Sequence, residues 1–213
     1  MTPERKAFLV ATRSPGKLRE ILKILDGLDG IRLRSLEELG VLPSHEEERV
    51  EVFDTFGENA VAKARHFRHL TGMPTIADDS GLSVDALGGA PGVRSRRFAP
   101  ETDGLSQSEQ DEANNRHLLT QLEGVLPETR TARYVCVAAL DFGIGKPLTF
   151  RGEAAGAILE APKGSGGFGY DPLFLDPADG RTFAELSAAE KDSRSHRGAA
   201  FGALKAHLLG DAS

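Results

Sequence analysis

Tryptophan is missing from these 213 residues, cysteine occurs once, and methionine and tyrosine occur twice each. The lone Cys136 excludes an intramolecular disulfide and a cysteine-based metal site. It lies in the apolar run Tyr134-Val135-Cys136-Val137-Ala138-Ala139-Leu140, where core filling accounts for it. Long hydrophobic runs are lacking as well. The first apolar stretch covers only residues 7–11 behind a polar start, so no signal peptide is read, and nothing approaches the roughly 18 apolar residues of a membrane span. A cytoplasmic protein without a membrane partner is expected. Positive charge is in deficit, with 26 Lys and Arg against 32 Asp and Glu for a net charge of -6, which argues against a nucleic-acid partner but leaves room for a small anionic ligand. Internal repeats, low-complexity tracts and linkers are also missing, so a single domain over residues 1–213 is expected.

What is present alternates between strand and helix patterns. Residues 7–11 read as a buried strand, followed by Thr12-Arg13-Ser14-Pro15-Gly16-Lys17 and an amphipathic helix to about residue 28, with Leu18, Ile21, Leu22 and Leu25 on its inner face. A turn of this kind leaves N–H groups and a helix N-terminus facing outward with Lys17 beside them, which holds an anion; a plain turn with a solvated lysine fits equally. The second glycine and the Lys-Ser/Thr pair of a phosphate-binding P-loop are missing. Residues 31–35 suggest a second strand, and the acidic residues 44–51 a loop whose charges are mostly solvated. Thr55 and Glu58 fit a capping box that opens a helix to about residue 70, with Asn59, Lys63 and His66 on one polar stripe. Lys63 either reaches an anion or stays at the surface.

The stretch Thr75-Ile76-Ala77-Asp78-Asp79-Ser80-Gly81-Leu82 organises the middle of the chain. Residues 75–77 read as a short strand that empties into a tight loop at Asp78. Alternation along a strand points adjacent side chains to opposite sides, so the two aspartates are expected to differ in role. Either one of them faces a cleft at a strand end, or both cap the loop. Residues 106–122 read as a polar helix, and residues 131–142 and 148–157 as strands around a hairpin signal, which makes the sheet mixed. The glycine-rich residues 162–172 hold Phe168 and Tyr170, a platform for a flat ring. A capping box at Ser187 and Glu190 opens a helical turn, and Ser195-His196-Arg197-Gly198 opens the last helix, with Phe201, Leu204 and Leu208 inward. Lys191, His196 and Arg197 stand near helix starts, where the dipole favours acids, and so point to an anion. A serine hydrolase at Ser80 is disfavoured, because Asp-Asp-Ser-Gly lacks the G-x-S-x-G elbow.

Several motifs in the same order resemble the non-canonical purine nucleoside triphosphate pyrophosphatases, the inosine triphosphate pyrophosphatase family. They are Ala11-Thr12 through Gly16-Lys17 with Glu20, Thr55-Phe56-Gly57-Glu58-Asn59-Ala60 with Lys63-Ala64, Ala77-Asp78-Asp79-Ser80-Gly81-Leu82, Gly88-Gly89-Ala90-Pro91-Gly92, Gly167-Phe168-Gly169-Tyr170-Asp171-Pro172, Thr182-Phe183-Ala184-Glu185 with Glu190-Lys191, and Ser195-His196-Arg197-Gly198. The resemblance implies an elongated α/β fold, a mixed β-sheet with flanking helices forming two lobes around a central cleft. It implies a homodimer that uses Mg²⁺ to convert ITP, dITP and XTP to the monophosphate and pyrophosphate. Thr12, Arg13, Ser14, Pro15, Gly16 and Lys17 would then cradle the triphosphate, with Lys63 in reach of a phosphate. Asp79 would be general base and metal ligand, Glu51 the second metal carboxylate, and Ser80 a substrate contact. Phe168, Gly169, Tyr170 and Asp171 would line the base, Lys191 would touch the nucleotide, and His196 and Arg197 would read the purine edge and phosphate. Two departures from the family pattern stand out: Ser14 replaces a usual asparagine, and Val52-Phe53-Asp54 replaces a Thr-Gly stretch after Glu51. A pyrimidine triphosphate pyrophosphatase of related fold and a non-catalytic nucleotide-binding protein are the alternatives.

Overall fold

Strand β1 (Lys6–Ala11) alternates Phe8 and Val10 toward one face, and helix α1 (Pro15–Ile24) lays Ile21 and the following Leu25 against them. The computed structural model describes residues 6–100 and 104–210. Proline at the start of α1 and Ser14 as its N-cap, accepting from Lys17 N–H, set the helix going. It stops at Ile24, four residues before the expected end, because Leu25 leaves helical geometry and Gly27 adopts a φ of 76°. Leu22, expected inside, is 38% exposed. Strand β2 (Ile31–Ser35) and helix α2 (Phe56–Thr71) follow, the latter N-capped by Thr55 and ended by left-handed Gly72.

Strand β3 (Thr75–Val84) corrects the sequence expectation most clearly. Asp78 and Asp79 do not sit in a loop beyond a strand; they are in the middle of one. Ser80-Gly81 has the composition of a turn, but Gly81 serves close packing. A Cβ there would come within 2.3 Å of Ser95 Oγ and 2.5 Å of the Gly92 carbonyl oxygen. Next in the chain come α3 (Gln107–Gln121), β4 (Thr131–Asp141), β5 (Leu148–Ile158), β6 (Phe174–Leu175), α4 (Ala188–Arg194) and α5 (His196–Gly210). The six strands are ordered β2-β1-β3-β4-β5-β6 in one sheet. β1 pairs in parallel with β2 and β3, whereas β5 and β6 pair antiparallel, so the expected mixed α/β fold with flanking helices is present.

Two compact units divide the chain. The first takes the described residues up to 79, residues 136–152, and those from 197 on; the second takes residues 80–135 and 153–196. The first unit's core joins Phe8, Val10, Ile21, Ile76, Cys136, Leu140, Phe201 and Leu204. Phe201, Leu204 and Leu208 point inward as expected. The second unit's core joins Leu82, Val84, Leu118, Tyr134, Ile158, Tyr170, Phe174 and Phe183. Strands β3, β4 and β5 each contribute residues to both units. No helix among the described residues is long and apolar enough to cross a membrane.

Candidate active site

In the first unit, Asp78 and Asp79 have different partners, as alternation along a strand demands. Asp78 is fully buried, and its Oδ2 lies 3.1 Å from Lys17 Nζ, 3.7 Å from Arg197 Nη2 and 3.9 Å from the Cys136 thiol. Burial alone would raise its pKa, but Lys17, Arg197 and Lys63 outweigh that and hold the carboxyl well below its usual range. Arg197, also buried, completes its pairing on Glu20 of α1. Burial beside that carboxylate pushes the Cys136 thiol up to about 12, so it stays protonated and inert.

Asp79 is 9% exposed and accepts a hydrogen bond at 3.0 Å from Nδ2 of Asn59, a buried residue of α2. Burial raises its pKa, partly countered by Lys17 and Lys63 and reinforced by the negative charge of Glu51. Asn59 is itself fixed by Phe53, accepting from its N–H at 2.9 Å and donating to its carbonyl at 3.1 Å. One turn further along α2, Lys63 Nζ lies 2.6 Å from Glu51 Oε1. Desolvation lowers the Lys63 pKa, yet the charges of Glu51, Asp78 and Asp79 together raise it on balance. One ammonium therefore sits within the field of three carboxylates.

Other residues of the candidate phosphate loop are tied to the protein. Arg13 forms a two-pronged pair with Glu47, at 3.0 Å and 2.6 Å, and donates to the Val41 carbonyl at 2.7 Å. Arg13 is thus committed to anchoring the 41–47 segment, and Glu47, held below its usual pKa by that bond, is not one of the solvated charges expected there. Lys17 is likewise not a solvated lysine. Thr12 Oγ1 accepts from Ser14 N–H, which shapes the turn, while Pro15 is exposed and Gly16 half-buried at the start of α1.

In the second unit, Asp171 gathers the glycine-rich loop. Its Oδ2 accepts from Phe168 N–H at 2.8 Å and pairs with Lys191 Nζ at 2.6 Å, and its Oδ1 accepts from Tyr134 OH at 3.3 Å. Gly167, at a φ of 72°, allows this approach, since a Cβ there would come within 2.0 Å of Asp171 Oδ2. Lys191 Nζ also stands over the Phe168 ring, 4.6 Å from its centroid. His196 stacks on Tyr134 with centroids 4.6 Å apart and planes 8° apart. Tyr170 departs from expectation: its ring is 4% exposed in the core and its hydroxyl donates to the Ser95 carbonyl at 2.8 Å, so it is no open platform. Phe168 remains half-buried and Ser80 likewise. The anions expected near Lys191 and Arg197 are the protein's own Asp171, Asp78 and Glu20.

Comparison with known proteins matches residues 8–207 to the model of the Ham1 family. The chain belongs to the Ham1 family. It is 50% identical over 201 residues to a dITP/XTP pyrophosphatase of Geobacter sulfurreducens, covering 94% of this chain and 96% of that one. A dITP/XTP pyrophosphatase of Frankia alni is also 50% identical, over 193 residues, with 91% and 92% covered. The structure of a HAM1 protein from Coxiella burnetii superposes with a TM-score of 0.83 at 37% identity, covering 96% of this chain and 99% of that one. In this Ham1 chain two residues gain roles that their sequence positions do not announce: Asn59, which reads as part of a polar stripe and of a family motif, and Tyr134, which reads as a core strand residue. The signal available for Asn59 was its position one turn before Lys63 on a helix with a defined N-cap.

Among the described residues no cluster of three or more His, Cys, Asp or Glu side chains forms a ready metal cage. Magnesium does not require one, since it binds through one or two carboxylates plus waters and phosphate oxygens. Glu51 and Asp79 fit that donor set: both are carboxylates, Asp79 feels the negative charge of Glu51, and the Lys63 ammonium feels both.

Proposed function

We propose that this chain hydrolyses the non-standard purine nucleotides ITP, dITP and XTP to the monophosphate and pyrophosphate, with residues 1–213 working as one catalytic domain. Support comes from relatives named dITP/XTP pyrophosphatase at 50% identity over most of the chain. The observation that carries the chemistry is Asp79, a buried carboxylate with a raised proton affinity, oriented by Asn59 and facing the charges of Glu51 and Lys63. A base with that affinity takes a proton from water at neutral pH more readily than an ordinary exposed aspartate.

Asp79 orients and deprotonates a water for attack on the α-phosphorus, and Asn59 keeps its second oxygen in place. Lys63 and Lys17 supply positive charge to the phosphate oxygens, while the Gly16 N–H in the first turn of α1, after Ser14 and Pro15, faces the anion. Glu51 and Asp79 would hold Mg²⁺, which when bound neutralises charge on the leaving pyrophosphate. In the second unit Phe168, Gly169, Asp171, Lys191 and His196 meet the purine, and Ser80 touches the substrate. Donors aimed at the 6-oxo group discriminate against adenine, whose 6-amino group leaves one of them unpaired at a cost of about 1–3 kcal/mol. The assembly proposed is a homodimer, and the setting the cytoplasmic nucleotide pool.

A panel of nucleoside triphosphates assayed with and without Mg²⁺ tests this. Pyrophosphate release from ITP, dITP and XTP that depends on Mg²⁺ is the expected result. Release of orthophosphate, or a preference for pyrimidine triphosphates, overturns it.

A further inference from the structure

One face of helix α3 carries polar side chains that no role above uses. Gln107, Asp111 and Asn115 recur every four residues and so line one side of the helix. Gln107 Nε2 donates to Asp111 Oδ1 at 2.8 Å, and Asp111 Oδ2 accepts from the Gly169 N–H at 2.8 Å. Asn115 Nδ2 donates to the Gly169 carbonyl at 3.0 Å. Both backbone polar groups of Gly169 are therefore held by side chains one turn apart. The orientation of the Asn115 amide follows, because only its nitrogen can donate to a carbonyl.

The same helix holds the next residue of the loop by a second route. Asn114 is buried, accepts from Phe98 and Ala99 N–H at 3.1 Å and 2.8 Å, and donates to the Arg96 carbonyl at 3.0 Å. That fixes the segment whose Ser95 carbonyl receives the Tyr170 hydroxyl. Gly169 and Tyr170 are thus positioned from α3, between Phe168 on one side and Asp171 with its bound Lys191 on the other.

We propose that Asp111 and Asn115 are positioning residues for purine recognition: by clamping Gly169 they give the Phe168 ring and the Lys191 ammonium a single presentation before the nucleotide arrives. This rests on the reading that residues 168–171 meet the base. A loop with glycine at 164, 166, 167 and 169 has much backbone freedom, and ordering it during binding would weaken affinity without touching the bond-breaking step. The clamp removes that loss in advance.

The test compares Asn115→Asp, Asp111→Ala and Asp111→Asn with the unaltered protein, measuring KM and kcat for ITP together with thermal unfolding. Asn115→Asp preserves size but turns an acceptor toward the Gly169 carbonyl, and Asp111→Ala deletes an acceptor. Each is expected to raise KM about tenfold with kcat within about twofold, as for loss of one well-formed hydrogen bond. Asp111→Asn keeps an acceptor for the Gly169 N–H and is expected to restore KM to within about twofold. Unchanged KM in Asn115→Asp and Asp111→Ala overturns the proposal, as does a fall in kcat at constant KM, or loss of folding in both. Phe168→Ala separates this from the reading beneath it. If that change leaves KM for ITP unaltered, the loop does not meet the base; if it raises KM while the α3 variants do not, only the clamp is refuted.

Discussion

Lys17, at the start of α1, places its ammonium 3.1 Å from Oδ2 of Asp78, in the buried middle of β3. This pair joins the candidate phosphate loop to the central strand, and Arg197 shares the same carboxylate from α5. Asp78 is therefore a structural anion. Replacing it by alanine would take the carboxylate away from the Lys17 ammonium and leave the buried Arg197 guanidinium with Glu20 alone, at a cost of about 3–5 kcal/mol. Asp78→Ala is expected to lower the urea unfolding midpoint severely, a loss that Mg²⁺ does not restore.

Its neighbour is expected to behave in the opposite way. Asp79→Asn keeps an acceptor for Asn59 and removes a buried negative charge that Glu51 opposes. The folded protein binds the Asp79 proton more tightly than the unfolded chain does, so stability falls as pH rises from the ordinary carboxylate value up through the raised value of the folded state. The variant should unfold at the same or a higher urea concentration at pH 7 without metal, while pyrophosphate release falls by about 10²-fold or more. A variant that kept its activity would remove Asp79 from the base role.

Gly81→Ala tests the packing that keeps β3 continuous past the aspartates. The new methyl meets both Ser95 Oγ and the Gly92 carbonyl oxygen. A loss of about 1–3 kcal/mol or more is expected in chemical denaturation. Adding Ser95→Ala should not restore it, because the carbonyl remains and Leu82 N–H loses its acceptor.

Acid stability should depend on a half-buried ion cluster in the second unit. Arg181 pairs with Asp179 and Glu190, and Arg194 pairs with Asp176 and Asp179. Hydrogen bonds from Arg181 hold both Asp179 and Glu190 down to about 2. Both folded values lie below those of the unfolded chain, so their contribution is present above pH of about 4 and is lost as pH falls toward about 2. Arg181→Ala is expected to flatten this part of the profile of melting temperature against pH, and high salt should do the same.

The sequence made the helices and strand β1 legible because their determinants are local. Ser14, Thr55, Ser106 and Ser187 all cap the helices that follow them, and Phe8 with Val10 already shows a strand face. The continuity of β3 was not legible. Its reason is the close approach of Ser95 and Gly92, residues later in the chain, whereas Ser80-Gly81 read alone has the composition of a turn. The pairing of Lys17, Lys191 and Arg197 was hidden for the same reason: a cation near a helix start looks unsatisfied until the tertiary fold brings in Asp78, Asp171 and Glu20. Family motifs drew attention to most of the candidate site residues, while Tyr134, Asp111 and Asn115, and the hold of Asn59 on Asp79, became visible only through their bonds.

The core that joins Phe8 and Val10 near the start of the chain to Phe201, Leu204 and Leu208 near its end has a consequence for biosynthesis. A nascent polypeptide still attached to the ribosome must wait with β1 incompletely covered, since the helix that seals it is made after all six strands. Cutting the gene just before that helix would yield a product in which the part of this core that Phe201, Leu204 and Leu208 cover still faces water.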